Sequence, residues 1–389
     1  MTRFIHAATS LHGGAGIAAK NLHLGMIELG WDSTLFTFSD ENNLPGVIQL
    51  TRNFREKVIS KAVTWAQIKF SNITFFSLFS ISSQPFLSFC LSQIDRRGVL
   101  VIHNSYNLLT LRSLTQVAKY FERVIIVQHD MRWITGGCHS PVNCKRYETN
   151  CDECPLVTPI LRRVPRQVFA HEKDLLKTIT SPISFISPSM YLMTETNKSK
   201  KISQASAIMG RNLSSKPKVK RKTSKFSEKI TLGVATNGSF NLLKGDDVIQ
   251  EIRLELTKRV TTPRFEILEA REIGEETGRM DKFYSSIDIL LVLSRMDNSP
   301  NVIHEAHSIG IPVIATKIGG ISELLNDEFD WGIEPENLNM SFIVSGLLDY
   351  SERLKNFPFL EESISNYFAH KPAQSQIEII REMFNQELP

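Results

Sequence analysis

The chain has no long apolar run behind its first residues. MTRFIHAATS lacks both the apolar core and the cleavage signature of a secretory leader, so export is not expected. The expected compartment is then the reducing cytoplasm, where cysteines serve metals more readily than disulfides. Cysteine is scarce, five residues in 389. Charge of one sign is lacking too: a net +4 is too small to argue for nucleic acid as a partner. No G-x-G-x-x-G occurs, which removes the dinucleotide-binding fingerprint, and no Asp-x-Asp pair offers a divalent-metal site. No internal repeat is present.

Between Ser71 and Ile94 charge is missing altogether: SNITFFSLFSISSQPFLSFCLSQI. Seven serines, two glutamines, an asparagine and a proline make this a poor membrane span, which needs about 20 mainly apolar residues. A core segment, or an apolar surface touching a membrane, fits it better. The opposite imbalance lies between Lys198 and Lys225, with ten Lys or Arg and no acid. Its plain reading is a solvated linker; its sharper one is a basic face toward phosphates or an anionic membrane.

What is present is an ordinary globular composition, 42% hydrophobic and 22% charged, at a length that suggests two domains or three. Short apolar runs alternate with helical patterns. Strands are expected at Arg3–Ala8, Ser33–Phe38, Val99–Asn104, Arg123–Gln128 and Ser184–Ser189, then at Lys229–Ala235, Arg264–Ala270, Asp288–Ser294 and Pro312–Lys317. Helical patterns such as IAAKNLHLGMIEL and NVIHEAHSIG sit between them. Continuous apolar strands are those covered on both faces, so the class is α/β: two doubly wound parallel-sheet domains. The expected division is residues 1–200, residues 201–370, and a closing helix within 371–389 that could pack back on the first domain. Ligands of such sheets bind at the carboxyl ends of the strands, so the natural site is the cleft between the domains.

Functional motifs are therefore expected just after strands. TSLHGGAGIAAKNL follows the first, with Gly13 and Gly14 before a helix whose N-terminus favours an anion. A tight turn explains these glycines almost as well. ATNGSFNLLKGDDVI follows Val234, where Lys244 could neutralise a diphosphate or be a plain surface lysine. RMDNSPNVIHEAHSIGIPVIATKIGGISELL carries the strongest signal. Asn298-Ser299-Pro300 forms a turn and helix start, which puts Asp297 in the loop and Glu305 in the helix. A carboxylate can accept both hydrogens of a vicinal diol, as ribose or a hexose presents. The amides of Asn298, Ser299 and Asn301 could meet phosphate or sugar oxygens.

Taken together these motifs resemble those of the retaining, family-four glycosyltransferases of the GT-B fold. DNSPNVIHEAHSIGIPVIATKIGGISELL matches the donor-site pattern of two acids eight apart, and GGAGIAAKNL and LLKG match the two phosphate-side loops. HDMRWITGGC, with the cysteines after it, and HNSYNLLTL resemble a subgroup that assembles bacterial surface polysaccharides of the colanic acid, capsule or O-antigen type. The resemblance implies two Rossmann-like domains facing a central cleft. The first would hold the acceptor, a glycan or lipid-linked glycan, and the second a nucleotide-diphosphate sugar. Glu305 would hold ribose hydroxyls, and Asp297 a sugar hydroxyl. Lys244 would offset charge on the leaving diphosphate, Gly13 and Gly14 would approach the donor, and His129 would be the cleft histidine. His129, Lys244 and Asp297 are thus the expected catalytic residues, with no cofactor required. The chain departs from the family pattern in three places. Asp297 stands where glutamate is commoner, Ser239 where arginine is, and IMGRNL where an Asn-Gly link joins the domains. Asn237 or the basic stretch could stand in for that arginine.

Two rival functions follow: a nucleotide-sugar epimerase on the same fold, and a catalytically weak donor- or glycan-binding partner in an assembly complex. Cytoplasmic location with peripheral contact at the inner face of the membrane is the expectation that accompanies a lipid-linked acceptor.

Four cysteines crowd one stretch: Cys138, Cys144, Cys151 and Cys154. Only the last pair has knuckle spacing, but four thiolates can complete a tetrahedral structural zinc site, with His139 as a substitute ligand. In that arrangement His129 and Asp130 serve the active site and the cysteines pin the loop. Buried free thiols or an oxidised pair are the alternatives.

Overall fold

The computed structural model describes residues 2–41, 43–70, 76–92, 98–202, 205, 207–214, 216–219, 226, 228–235, 240–258, 263–273, 278–370 and 374–384. The chain divides into two compact units, Met1–Leu213 with Ala373–Pro389, and Ser214–Pro372.

The first unit is built on a seven-stranded sheet whose registered pairs are all parallel: β1 (Arg3–Ala7), β2 (Asp32–Thr37), β3 (Val47–Gln49), β4 (Val99–Ile102), β5 (Arg123–Val127), β6 (Ile183–Ser187) and β7 (Ala207–Met209). The order is β3-β2-β1-β4-β5-β6-β7, so the strand direction of travel reverses between β1 and β4. Phe4, Val99, Val101, Ile125, Val127 and Ile186 are buried in one core with Leu22 and Met26 of the helix Gly13–Glu28. Burial on both faces is why these strands are apolar at almost every position.

That core is completed from the far end of the chain. Helix Gln376–Met383 starts in a capping box, Ser375 with Glu378, and packs Ile377, Ile379 and Ile380 onto the same cluster. β7 extends the first unit to Leu213, beyond the boundary suggested at residue 200, because Ala207 pairs with Phe185 of β6.

The second unit carries β8 (Lys229–Val234), β9 (Arg264–Glu269), β10 (Ile289–Val292), β11 (Val313–Thr316) and β12 (Trp331–Ile333), all parallel, in the order β12-β11-β10-β8-β9. Its two apolar clusters flank the sheet. One gathers Ile230, Leu232, Leu291 and Ile314 with Ile252 and Leu347; the other gathers Leu290, Val313 and Ala315 with Phe283, Tyr284 and Ile303.

The nine expected strands all form, with ends within two residues of those read from the apolar runs. The three that were not anticipated, β3, β7 and β12, are three-residue strands at sheet edges, too short to display a pattern. The described part of the uncharged segment is core on its inner side: Phe76, Phe86 and Cys90 are buried. Helix Gln84–Leu91 starts on Pro85, and Phe36 meets Phe86 and Phe89 at ring-centroid distances of 5.4 and 4.3 Å. Residues 71–75 and 93–94 of that segment lie outside the described residues. The basic stretch is also more than a linker, since Lys201 is buried in an ion pair with Glu172 at 2.5 Å. Among the described residues no helix is long and apolar enough to cross a membrane.

Candidate active site

In the second unit the site residues converge beyond the carboxyl end of β10. Asp297 lies in the loop that follows this strand, and Lys244 in the 3-10 turn Leu242–Lys244 that follows β8. Their side chains meet, Lys244 Nζ to Asp297 Oδ2, at 2.5 Å. β8 and β10 are neighbours in the sheet, which is why loops 53 positions apart come together.

Both loops are held rigidly. Asn241 accepts from the Leu243 amide at 2.9 Å and caps the 3-10 turn. Gly245 has φ +77°, and a Cβ there would stand 2.1 Å from the Leu293 carbonyl oxygen, so only glycine lets the turn lie so close to the end of β10. Arg295 fastens one loop to the other. Its guanidinium donates to both oxygens of Asp247 at 2.7 Å and to the Leu242 carbonyl at 2.6 Å, and its amide donates to the Leu243 carbonyl. Asp297 in turn accepts from the Ser299 amide at 3.2 Å through Oδ1, and its carbonyl accepts from the Gly320 amide at 3.0 Å.

Helix Asn301–Ser308 begins directly after this loop. Asn298, Ser299 and Asn301 therefore lie at its N-terminus, where backbone N–H groups and the helix dipole favour an anion or a sugar oxygen. Glu305 sits one turn further along and is buried. Tyr284, fully buried in helix Arg279–Ser286, donates its hydroxyl to Glu305 Oε2 at 2.6 Å. Burial raises the Glu305 carboxyl above the usual range, and the Tyr284 hydrogen bond works against that rise.

In the first unit, Gly13 and Gly14 open the 16-residue helix after β1, and a Cβ on either would meet nothing within 4 Å. Space for close approach is therefore present. The helix start carries no side-chain cap hydrogen bond and no acid in its first turn, which leaves its positive end suited to an anion. Gly16 is different: its Cβ would be 2.5 Å from the Ser10 carbonyl oxygen, so it serves the tight turn.

His129 stands just past β5 and is the outer member of a histidine chain. Its Nε2 is 3.1 Å from His103 Nδ1, His103 Nε2 is 3.0 Å from His6 Nδ1, and His6 Nε2 is 3.3 Å from Met26 Sδ. The three rings come from adjacent strands, β1, β4 and β5, and stack. The thioether only accepts, so the hydrogen bonds assign every proton: each Nε2 carries hydrogen and each Nδ1 is the acceptor atom. Burial pushes His6 and His103 well below the usual imidazole range and His129 to about 4, so all three are neutral at pH 7.

Asp130, the neighbour of His129, faces the loop. It accepts from the Arg132 amide at 2.8 Å and pairs with His139 Nδ1 at 2.6 Å, and His139 Nε2 meets the Ser77 hydroxyl at 2.6 Å. These partners tie both side chains to the loop. Arg132 makes a two-pronged pair with Glu172, which also accepts from Lys201. The two cations hold the Glu172 carboxyl down to about 2.

The four cysteines line one cavity of ≈ 10 Å³ with Phe76, Tyr147 and Leu156. Among the described residues no group of three or more His, Cys, Asp or Glu side chains is placed to hold a metal ion. Ion pairs and packing hold this long loop. Three of its non-glycine residues, Val142, Cys151 and Glu153, have positive φ, which marks a backbone over-determined by its surroundings.

Tyr284, Arg295, Asp247 and the histidine chain were missed by sequence reasoning. The chain left a signal, since RFIH, VLVIH and VIIVQH each end an apolar run on or near a histidine. Tyr284 left none. Ser239 and Asn237 lie outside the described residues.

Residues 238–343 match the family "Glycosyl transferases group 1". The Escherichia coli (strain K12) protein named "Putative colanic acid biosynthesis glycosyl transferase WcaC" is 25% identical over 265 residues, 59% of this chain and 62% of that protein, under two thirds of its length. The fold is similar to that of sucrose-phosphate synthase from Thermosynechococcus elongatus (TM-score 0.61, 12% identity, 99% of this chain and 98% of that one). It is also similar to the pneumococcal O-GlcNAc transferase GtfA in complex with UDP and GlcNAc (TM-score 0.60, 10% identity, 99% and 98%). This chain has the fold of the GT-B glycosyltransferases, and its residues 238–343 are similar to the glycosyl transferases group 1.

Proposed function

We propose that the chain transfers a sugar from a nucleotide-diphosphate sugar to a glycan or lipid-linked glycan acceptor, with retention at the anomeric carbon, in surface-polysaccharide biosynthesis. The observation that carries this reading is the meeting of Lys244 and Asp297 in front of the helix whose first turns hold Asn298, Ser299, Asn301 and Glu305. That arrangement sets one cation and several amides beside two carboxylates that can accept from hydroxyls.

Glu305, buried and steadied by Tyr284, would accept from the ribose diol. Asp297 would accept from a hydroxyl of the sugar, and Lys244 would turn from Asp297 toward the diphosphate. His129, the remaining catalytic candidate, would act on the transferred sugar. In the transfer step the bond from the anomeric carbon to the diphosphate oxygen breaks, and the bond to the acceptor oxygen forms on the same face. The acceptor's proton passes to the departing diphosphate. Negative charge grows on that group, so fixed cations and amides aimed at it are the main lever; one such contact is worth roughly 3–4 kcal/mol.

The test is thermal stability of the purified chain against UDP-, GDP-, ADP- and dTDP-sugars, followed by product analysis. A donor at a hundredfold excess over Kd should stabilise the fold by about 2.7 kcal/mol. A product joined to acceptor with the donor's anomeric configuration is expected. Free epimerised sugar, or no turnover with any donor that binds, would overturn the proposal.

A further inference from the structure

Helix Phe54–Phe70 is inside out. Its inward face is polar and hydrogen-bonded: Glu56 accepts from the Gln84 amide at 3.0 Å, Ser60 from Asn107 Nδ2 at 2.9 Å, and Gln67 donates to the Tyr106 hydroxyl at 2.6 Å. Its outward face is apolar. Phe54 is 80% exposed, Trp65 64% and Ile68 60%, with Val58 and Ile59 exposed as well. At 100° per residue Phe54, Val58 and Trp65 form one stripe, with Ile68 beside it. Phe79, 59% exposed, adjoins it, its amide donating to Gln67 Oε1 at 3.1 Å.

The charges on this helix bear on what would cover the stripe. Arg55, Lys57, Lys61 and Lys69 are all exposed, and its one acid, Glu56, is buried. Lys69 Nζ lies 5.2 Å from the centroid of the Trp65 ring. An aromatic and aliphatic stripe that Lys61 interrupts and that Arg55, Lys57 and Lys69 flank suits a helix lying in the headgroup boundary of an anionic bilayer, with the cationic heads reaching the phosphates. A partner protein would need an acidic surface with an apolar centre; the bilayer supplies both at any position.

We propose that helix Phe54–Phe70 docks the chain on an anionic lipid surface, with Phe54, Val58, Trp65 and Ile68 entering the headgroup boundary and Arg55, Lys57, Lys61 and Lys69 meeting the lipid phosphates. From the uncharged segment only the exposed Phe79 adjoins this face, while Phe76, Leu78, Phe86 and Cys90 are core. The proposal stands on the first unit alone and is independent of the sugar-transfer reading.

The experiment is sedimentation of the purified full chain with vesicles of phosphatidylcholine, alone or mixed with phosphatidylglycerol. Binding to the mixed vesicles should be at least roughly tenfold stronger at low salt and fall as salt is added. Phe54→Ser with Trp65→Ser should abolish it. Lys57→Gln with Lys61→Gln and Lys69→Gln should weaken it, by roughly fivefold per lysine. Because these side chains are exposed, both variants should melt with the wild type. Trp65→Phe should still bind, yet lose the blue shift in tryptophan emission that vesicles induce in the wild type. Equal binding to both vesicle types, no binding, or binding unchanged in the variants would overturn the proposal. So would a concentration-dependent dimer that either multiple variant dissolves, since the face would then belong to a second copy of the chain.

Discussion

Lys244 Nζ and Asp297 Oδ2 stand 2.5 Å apart, so each holds the other at the place a diphosphate sugar would have to divide them. Lys244 is about half-exposed, and such a pair contributes about 0–1 kcal/mol to folding. Lys244→Ala should therefore melt close to the wild type while turnover falls roughly 10²–10³-fold, the effect of removing one charge-stabilising contact. Steady-state kinetics beside a melting curve separates the two. Full turnover in a folded Lys244→Ala protein would sink the assignment.

Tyr284→Phe is the sharper probe of Glu305. The hydroxyl at 2.6 Å is the contact that opposes the burial-driven rise of this carboxyl, so its loss sends the carboxyl further up. A protonated carboxyl is a poorer acceptor, and protonation gains as pH falls. Calorimetry should show weaker donor binding in the variant, with the gap from wild type wider at pH 6 than at pH 8. An equal gap at both would mean that Tyr284 acts by packing alone.

Gly245→Ala tests whether the backbone sets the lysine. The residue would need φ +77° with its Cβ 2.1 Å from the Leu293 carbonyl oxygen. Left-handed strain and overpacking together should cost roughly 2–4 kcal/mol. Denaturant unfolding would measure the loss, and turnover should fall beyond what residual folding explains. A variant as stable as wild type would contradict the close approach.

The histidine chain makes stability depend on pH. The unfolded histidines take protons below about 6.5, whereas burial holds folded His129 to about 4 and His6 and His103 well below their usual range. The unfolded state then binds more protons in this window, so stability is full above pH 6.5 and is lost as pH falls toward 4. His129→Asn should reduce the slope of unfolding free energy against pH by up to about 1.4 kcal/mol per unit. An unchanged slope would show that His129 titrates normally.

Much of the first sheet, and the loops of the second unit that carry Lys244 and Asp297, could be read in advance for one physical reason. Strands buried on both faces must be apolar throughout, and ligand loops follow their carboxyl ends, so Lys244, Asp297 and Glu305 stood at recognisable offsets. What could not be read was pairing. Tyr284 reaches Glu305 from another helix, and Arg295 spends its guanidinium on Asp247, through contacts that topology creates and spacing does not reveal. The cysteines, whose close spacing suggests a metal tetrad, line one small apolar cavity together, a grouping that spacing alone indicates. The apolar helix was missed because its outward residues are diluted by lysines and its inward ones are polar.

The return of residues 373–389 to the first unit has a consequence for how such chains can be recombined. Because Ile377, Ile379 and Ile380 complete a core begun by Phe4, a gene fusion with one crossover near residue 213 would pair the front of that core with a foreign closing helix. Exchange of the second unit between relatives is conservative only as a cassette, cut once near residue 213 and again near residue 373. Inheritance of this architecture is thus a matter of insertion, one unit carried as a long excursion within the other.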